Sequence, residues 1–327
     1  MSLPRERRAA VSLDLDDKWT YLKTRGIAGW QSFPSYLEVV VPRVLQFLNA
    51  RSLRITFFLV GQDAALPRNA QLLRSIAVAG HEIGNHSFHH EPWLPLHSPA
   101  AIEDEIALAE QHIAAVTDSS ILGFRGPGYS VSQSVIDALV SRGYLYDAST
   151  LPTFLGPIAR RYYLWTTKLD PRERLLRARL FGTWRDGLRP LRPYPWQTAR
   201  GELTEIPVTT SPVFRTPFHL SYLIWLSRYS EYLARAYFLS CLTLCRLLRV
   251  GPSFLLHPLD FLDASEAQEL AFFPGMAVPL ERKLELADFA LRALSRRYRI
   301  TTLEEQARHS AADPSRCQST LGVGALQ

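Results

Sequence analysis

Cysteine is scarce, with only Cys241, Cys245 and Cys317 in 327 residues. So few thiols exclude a disulfide-stapled scaffold and give no hint of an oxidising compartment. Long uncharged hydrophobic runs are also lacking. The most apolar region, residues 219–248, is interrupted by Arg228, Glu231, Arg235 and Arg246, whereas a spanning helix needs about 20 mostly apolar residues. The start, MSLPRERRAAVSLDLDD, is basic, but acids arrive before an apolar leader segment can form. No secretory signal is read there, and a cytoplasmic location is expected, peripheral on the membrane's inner face if the chain touches lipid. There is no internal repeat. With 47% hydrophobic and 21% charged residues, a disordered chain, a collagen-like fibre and a coiled coil are excluded. The length suits two average domains or one α/β barrel.

The net charge of +6 is unevenly spread. Residues 158–200 hold eleven basic side chains against Asp170, Glu173 and Asp186, so the rest of the chain is slightly acidic. Such a concentration suits an anionic partner or a solvated helix face. No nucleic-acid-binding motif accompanies it, and nucleic acid is not expected as a partner.

Strand-like and helix-like patterns alternate through residues 10–147. Strands are expected at 10–15, 55–60 and 121–124, and helices at 34–50, 67–79, 101–116 and 134–142. The pattern resumes with a strand at 254–257, a helix at 280–297 and a strand at 298–302. This alternation predicts a parallel α/β sheet or barrel, with chemistry at the carboxyl ends of the strands. Residues 1–9 are expected as a basic arm, 10–308 as the barrel and 309–327 as a disordered tail. The stretch of about 152–250, rich in Pro, Arg and aromatics, reads as an insertion. It ends in a long helical segment with Leu233, Tyr237, Cys241, Leu244, Cys245 and Leu248 on one face.

Five clusters carry possible chemistry. His86 and His90 are four apart in Gly84-Asn85-His86-Ser87-Phe88-His89-His90, and two imidazoles at that spacing can flank a Zn²⁺ ion. His89 offers the same residue type without the spacing. Asp14 and Asp16 stand at i and i+2 on one side of a strand end, where two carboxylates need a cation or a shared proton. Arg125-Gly126-Pro127-Gly128-Tyr129 sets a charged and an aromatic residue on a tight turn, able to hold a carboxylate or offer a backbone N–H to an oxyanion. His257 ends an apolar strand and can serve as a general acid. Asp147 could pair with such a histidine.

In this order the clusters resemble the polysaccharide deacetylase family, also known as the NodB-homology domain or carbohydrate esterase family 4. The H-S-x-x-H motif (His86, Ser87, His90) and the R-x-P-x-Y motif (Arg125, Pro127, Tyr129) are intact. The resemblance implies a distorted (β/α)7 barrel with a long helical insertion. It further implies a divalent metal, most commonly Zn²⁺, and hydrolysis of an N-acetyl or N-formyl group on an amino sugar. Carried over by position, Asp16, His86 and His90 look like metal ligands and Asp14 like the base, as in the branch with a D-x-D first motif. The commoner T-F-D-D register would make Asp16 the base and Asp17 the ligand. Arg125 would orient the base, the Tyr129 N–H would bind the oxyanion, and His257, tuned by Asp147, would be the acid. The tryptophan usual after the fourth-motif aspartate is absent; Leu151 and Pro152 stand there.

A lipid-linked or other cytoplasmic glycan precursor is the expected substrate class. The basic stretch, with Tyr222, Trp225, Tyr229, Tyr232 and Tyr237 after it, suggests contact with an anionic membrane surface. The alternatives are a metal-dependent hydrolase of a non-sugar amide and a barrel that binds a glycolipid without turnover.

Overall fold

A strand hemmed in by neighbours reads as a nearly continuous apolar run, and β1 (Arg8–Leu15) is such a strand, buried at every position after Arg8. The computed structural model describes residues 7–167, 174, 175, 177 and 182–311. Among them follow β2 (Thr56–Leu59), β3 (Glu82–Asn85), β4 (Gly123–Phe124), β5 (Tyr146–Asp147), β6 (Tyr194–Thr198), β7 (Gly201–Glu205), β8 (Ser253–Leu256) and β9 (Arg299–Thr301). They form one sheet in the order β6-β7-β5-β4-β3-β2-β1-β8, with β9 also pairing β1. Every pairing is parallel except the β6–β7 hairpin. This is the α/β architecture expected from the alternating pattern. Past β7 the chain turns toward the opposite end of the ladder. There the Thr209 N–H donates to the Ser253 carbonyl at 3.1 Å, and the Ser253 N–H donates to Thr209 Oγ1 at 2.8 Å.

Helices cover the sheet through apolar faces. The helix Leu37–Asn49 buries Leu37, Val40, Val41, Val44, Phe47 and Leu48. Each large apolar side chain so buried contributes roughly 1.5–3 kcal/mol before entropic costs. The helix Pro99–Thr117 starts at an N-cap, Ser98, whose hydroxyl accepts the Ala101 N–H, and buries Ile102, Ile106, Ala109 and Ile113. Gly84 in β3 is a packing requirement, since a Cβ there would stand 2.6 Å from the Phe58 ring.

Several expectations need correction. The expected helix at 67–79 opens as a 3₁₀ turn, Pro67–Asn69, before the α-helix Ala70–Val78. Arg8 and Ala9 belong to β1 rather than to a basic arm, and residues 1–6 lie outside the described residues. Residues 309–311 end the helix Leu303–Ala311, while the rest of the expected tail, 312–327, also lies outside them. The stretch 152–250 is not helical throughout, because β6 and β7 extend the central sheet. Its long helical segment is two helices, Leu220–Ser227 and Glu231–Leu247, the second capped by Ser230. The second buries Ala234, Phe238, Cys241, Leu242 and Cys245. Leu233 and Leu248, expected on that face, are exposed.

Candidate metal centre and active site

Strand register gathers the polar clusters. Leu13 pairs with Leu256, Leu15 with Leu59, Leu59 with Asn85, and Asn85 with Phe124. The residues just beyond these positions therefore share the carboxyl edge of the sheet. They are Asp14 and Asp16, His257, His86 and Arg125.

Local turns aim the histidines. Asn85 Oδ1 accepts the Ser87 N–H at 2.8 Å, and Ser87 Oγ accepts the His90 N–H at 3.2 Å. Ser87 and His90 both take positive φ, 61° and 52°, which tightens the loop and returns His90 over His86, with ring centroids 4.9 Å apart. His86 Nδ1 lies 2.6 Å from the Arg125 carbonyl. A carbonyl only accepts, so Nδ1 carries the hydrogen and the Nε2 lone pair faces Asp16. Asp16 Oδ1 is 3.2 Å from His86 Nε2 and 2.9 Å from His90 Nε2. All three side chains are buried.

His89 stands outside this group. It is half exposed, and its Nδ1 meets Glu105 Oε2 at 2.7 Å. Asp17 is also outside, although buried. Its Oδ1 accepts the Lys18 N–H at 2.7 Å and the Tyr36 N–H at 3.0 Å, capping the helix Lys18–Arg25. The geometry thus brings together Asp16, His86 and His90.

The donor set suits a divalent cation. Asp16 Oδ1 and both ring nitrogens of His90 are buried without a hydrogen-bond partner. Buried polar atoms rarely stay unsatisfied, and a cation among them would satisfy them together. Burial pushes the Asp16 carboxyl upward, but His90 and His86 outweigh it and hold it well below the usual carboxylate range. Burial also pulls His90 down. On His86 the burial effect is overcome by Asp14 and Asp16, and its value rises.

Asp14 is fixed from the other side. Arg125, fully buried, donates from Nη1 to Asp14 Oδ1 at 2.6 Å and to Ser12 Oγ at 2.8 Å. Its Nε donates to the Ala148 carbonyl at 2.9 Å, and the guanidinium lies 4.4 Å from the Phe58 ring centroid. The turn carrying Arg125 depends on glycine, since a Cβ on Gly126 would fall 2.0 Å from the Ser130 carbonyl oxygen.

Two expectations fail here. The Tyr129 N–H, expected to bind an oxyanion, donates instead to the Gly126 carbonyl at 3.1 Å and closes a 3₁₀ turn. The Tyr129 hydroxyl is pushed up by burial and then by the Asp14 charge. Asp147, expected to tune His257, accepts from Ser149 Oγ instead. Burial and then Glu205 push its carboxyl well above the usual range. Ser149 in turn accepts the Gly126 N–H at 2.7 Å, so Asp147 braces the Arg125 turn. The physical reason is topological: β5 pairs with β4 and β7, whereas His257 follows β8 beside β1.

The groups beside His257 are others. Asp260 Oδ2 accepts the His257 N–H at 2.8 Å, and Ser221 Oγ lies 3.0 Å from His257 Nδ1. The sequence reading missed Ser12, Ser221 and Asp260. For Asp260 a signal existed: a polar residue three positions after a strand-ending histidine, with proline between, is a capping pattern.

Comparisons with known proteins agree with the motifs. Residues 8–146 match the family described as Polysaccharide deacetylase. A peptidoglycan deacetylase of Helicobacter pylori is 28% identical over 134 residues, covering 41% of this chain and 44% of that protein. A peptidoglycan-N-acetylglucosamine deacetylase of Bacillus cereus is 26% identical over 132 residues, covering 40% and 53%. The chain spans about half the length of these curated relatives. Among solved structures, a candidate polysaccharide deacetylase of Mycobacterium smegmatis aligns over 95% of this chain and 93% of its own, with TM-score 0.59 and 21% identity. Another, from Pseudomonas aeruginosa PAO1, aligns over 94% and 91%, with TM-score 0.57 and 16% identity. At these identities the likeness shows the fold. Among the described residues, no helix is long and apolar enough to cross a membrane.

Proposed function

We propose, from a chain whose residues 8–146 match the polysaccharide deacetylase family, that it is a metal-dependent hydrolase removing an N-acyl group from an amino sugar. One observation carries the reading: the Asp16, His86 and His90 cluster lies beside a second buried carboxylate, Asp14, gripped by Arg125. A ligating carboxylate and a separately held base are what hydrolysis by an activated water requires. Relatives named as a peptidoglycan deacetylase and a peptidoglycan-N-acetylglucosamine deacetylase support an acetylated amino sugar as the substrate.

Asp16, His86 and His90 would hold the ion, and two imidazole nitrogens with one carboxylate favour zinc. When bound, the ion supplies Lewis acidity and lowers the pKa of a water. The chain's own residues do the rest. Asp14 takes the proton of the attacking water, with Arg125 keeping its second oxygen in place. His257, at the same strand edge, gives a proton to the departing amine. Tyr129 offers its phenolic O–H at this rim, since its N–H is engaged in the turn.

For the substrate we favour a lipid-linked or other glycan precursor met at a membrane's inner face. Exposed Ile158, Trp165 and Trp184 alternate with Arg160, Arg161 and Arg185, a composition that suits phosphate headgroups. The test incubates zinc-loaded protein, and its Asp14→Asn variant, with a bacterial polar-lipid extract and with soluble nucleotide sugars. Mass spectrometry then seeks species that lose an acyl group only with the wild type. Loss among lipids supports the full reading, loss among soluble sugars removes its membrane part, and loss in neither overturns the deacylase.

A further inference from the structure

We infer that the helix Leu220–Ser227, within the stretch that interrupts the barrel pattern, positions His257, with Ser221 as the positioning residue. The inference rests on the reading of His257 as proton donor. A general acid needs its ring held so that one nitrogen faces the leaving group, and a lone imidazole at a strand end has two free torsions. Here both sides of His257 are held. Its backbone N–H is taken by Asp260 Oδ2 at 2.8 Å. Its Nδ1 is taken by Ser221 Oγ at 3.0 Å, which leaves Nε2 as the nitrogen to deliver a proton. The ring of His219, the residue before the helix, stands edge-on to His257 with centroids 5.8 Å apart.

The helix itself is anchored. Leu220, Leu223 and Ile224 are buried in the main core, so Ser221 projects from a fixed backbone. Its contact with His257 crosses 36 residues of sequence. Ser221 also bonds the Asp260 carboxylate; with its hydroxyl proton turned there, its oxygen accepts from Nδ1–H, which fixes the imidazole's rotamer and its tautomer together.

The test uses the full, zinc-loaded chain carrying Ser221→Ala or Ser221→Thr. Long-range ¹H–¹⁵N spectra of the His257 ring, assigned by their loss in His257→Gln, should show one tautomer in the wild type. Ser221→Ala should show ring nitrogens averaged between both tautomers, with the Thr variant restoring the single form. On an acylated amino sugar, Ser221→Ala should lower kcat roughly tenfold with KM unchanged, a fraction of what a general acid supplies. It should cost nothing further in a His257→Ala background. Unchanged ring signals in Ser221→Ala, or an equal loss of kcat in the His257→Ala background, would overturn the inference. If the wild type turns over no acylated sugar, the deacylase reading fails by itself, while the ring spectra still decide whether Ser221 holds His257.

Discussion

Arg125 Nη1 and Asp14 Oδ1 lie 2.6 Å apart with neither group open to solvent. This ion pair crosses 111 positions of sequence and ties the end of β1 to the turn after β4. A buried pair is a weak source of net stability, yet breaking one side of it is costly, because the other charge stays buried alone.

Asp14→Asn should therefore abolish hydrolysis, by about 10²–10⁴-fold for a lost general base, while the protein still binds zinc, measured by metal content after gel filtration. Arg125→Ala leaves Asp14 without its partner. It should destabilise the fold by roughly 3–5 kcal/mol in urea unfolding. Loss of zinc in Asp14→Asn would move that carboxylate into the ligand group.

The three expected ligands can be separated from their neighbours. His86→Ala, His90→Ala and Asp16→Asn should each release zinc and activity together. His89→Ala removes only a rim contact with Glu105, and should keep both. Asp17→Asn keeps an oxygen for the helix cap and should also retain zinc. A chelator should inactivate the wild type, and added zinc should restore it. Retention of zinc by Asp16→Asn with loss in Asp17→Asn would favour the T-F-D-D register.

These sites were legible to different degrees, for physical reasons. His86, His90 and Arg125 sit in short local motifs whose turn chemistry is written within a few residues. The run at β1 announced a buried strand, and Asp14 and Asp16 followed from period two. The ring partner of His257, Ser221, was not legible, because it depends on which elements lie beside β8. Asp147, on a strand of two residues, is placed by its neighbours rather than by any periodicity of its own. Likewise β6 and β7 hold Pro195, Gly201 and alternating polar residues, a weak strand signal that pairing with β5 overrides.

Lys283 gives a stability prediction tied to the His257 loop. Its side chain is fully buried, and Nζ donates to the Leu259 carbonyl at 2.8 Å and to the Leu262 carbonyl. Burial, opposed by Asp260, pulls its pKa down to about 8. Below that pH, folded and unfolded chains both keep the charge, and the folded state bears the cost of burying it. Above it the folded chain sheds a proton that the unfolded chain still holds, up to the ordinary value of 10.5. This group's contribution to stability therefore rises with pH across that window, by roughly 3 kcal/mol. Lys283→Met should remove the rise, seen as the difference between wild-type and variant urea midpoints from pH 7 to pH 10. Parallel midpoints would show that Lys283 stays charged when folded.

Asp147 and Asp260 divide the roles that sequence had assigned to Asp147 alone. Asp147 is buried beside Glu205 and raised well above the usual carboxylate range, by burial first and then by that neighbour's charge. That rise favours its protonated form, which Asn mimics as a neutral hydrogen-bonding group. Asp147→Asn should therefore keep kcat on an acylated amino sugar within a few fold of the wild type, at roughly the level expected when no general acid is disturbed. Asp260→Asn disturbs the loop in which Asp260 Oδ2 accepts the His257 N–H, and should lower kcat roughly tenfold, a fraction of what a general acid supplies. The opposite pattern would restore Asp147 as the partner of His257 and require β5 and β8 to meet at the barrel's mouth.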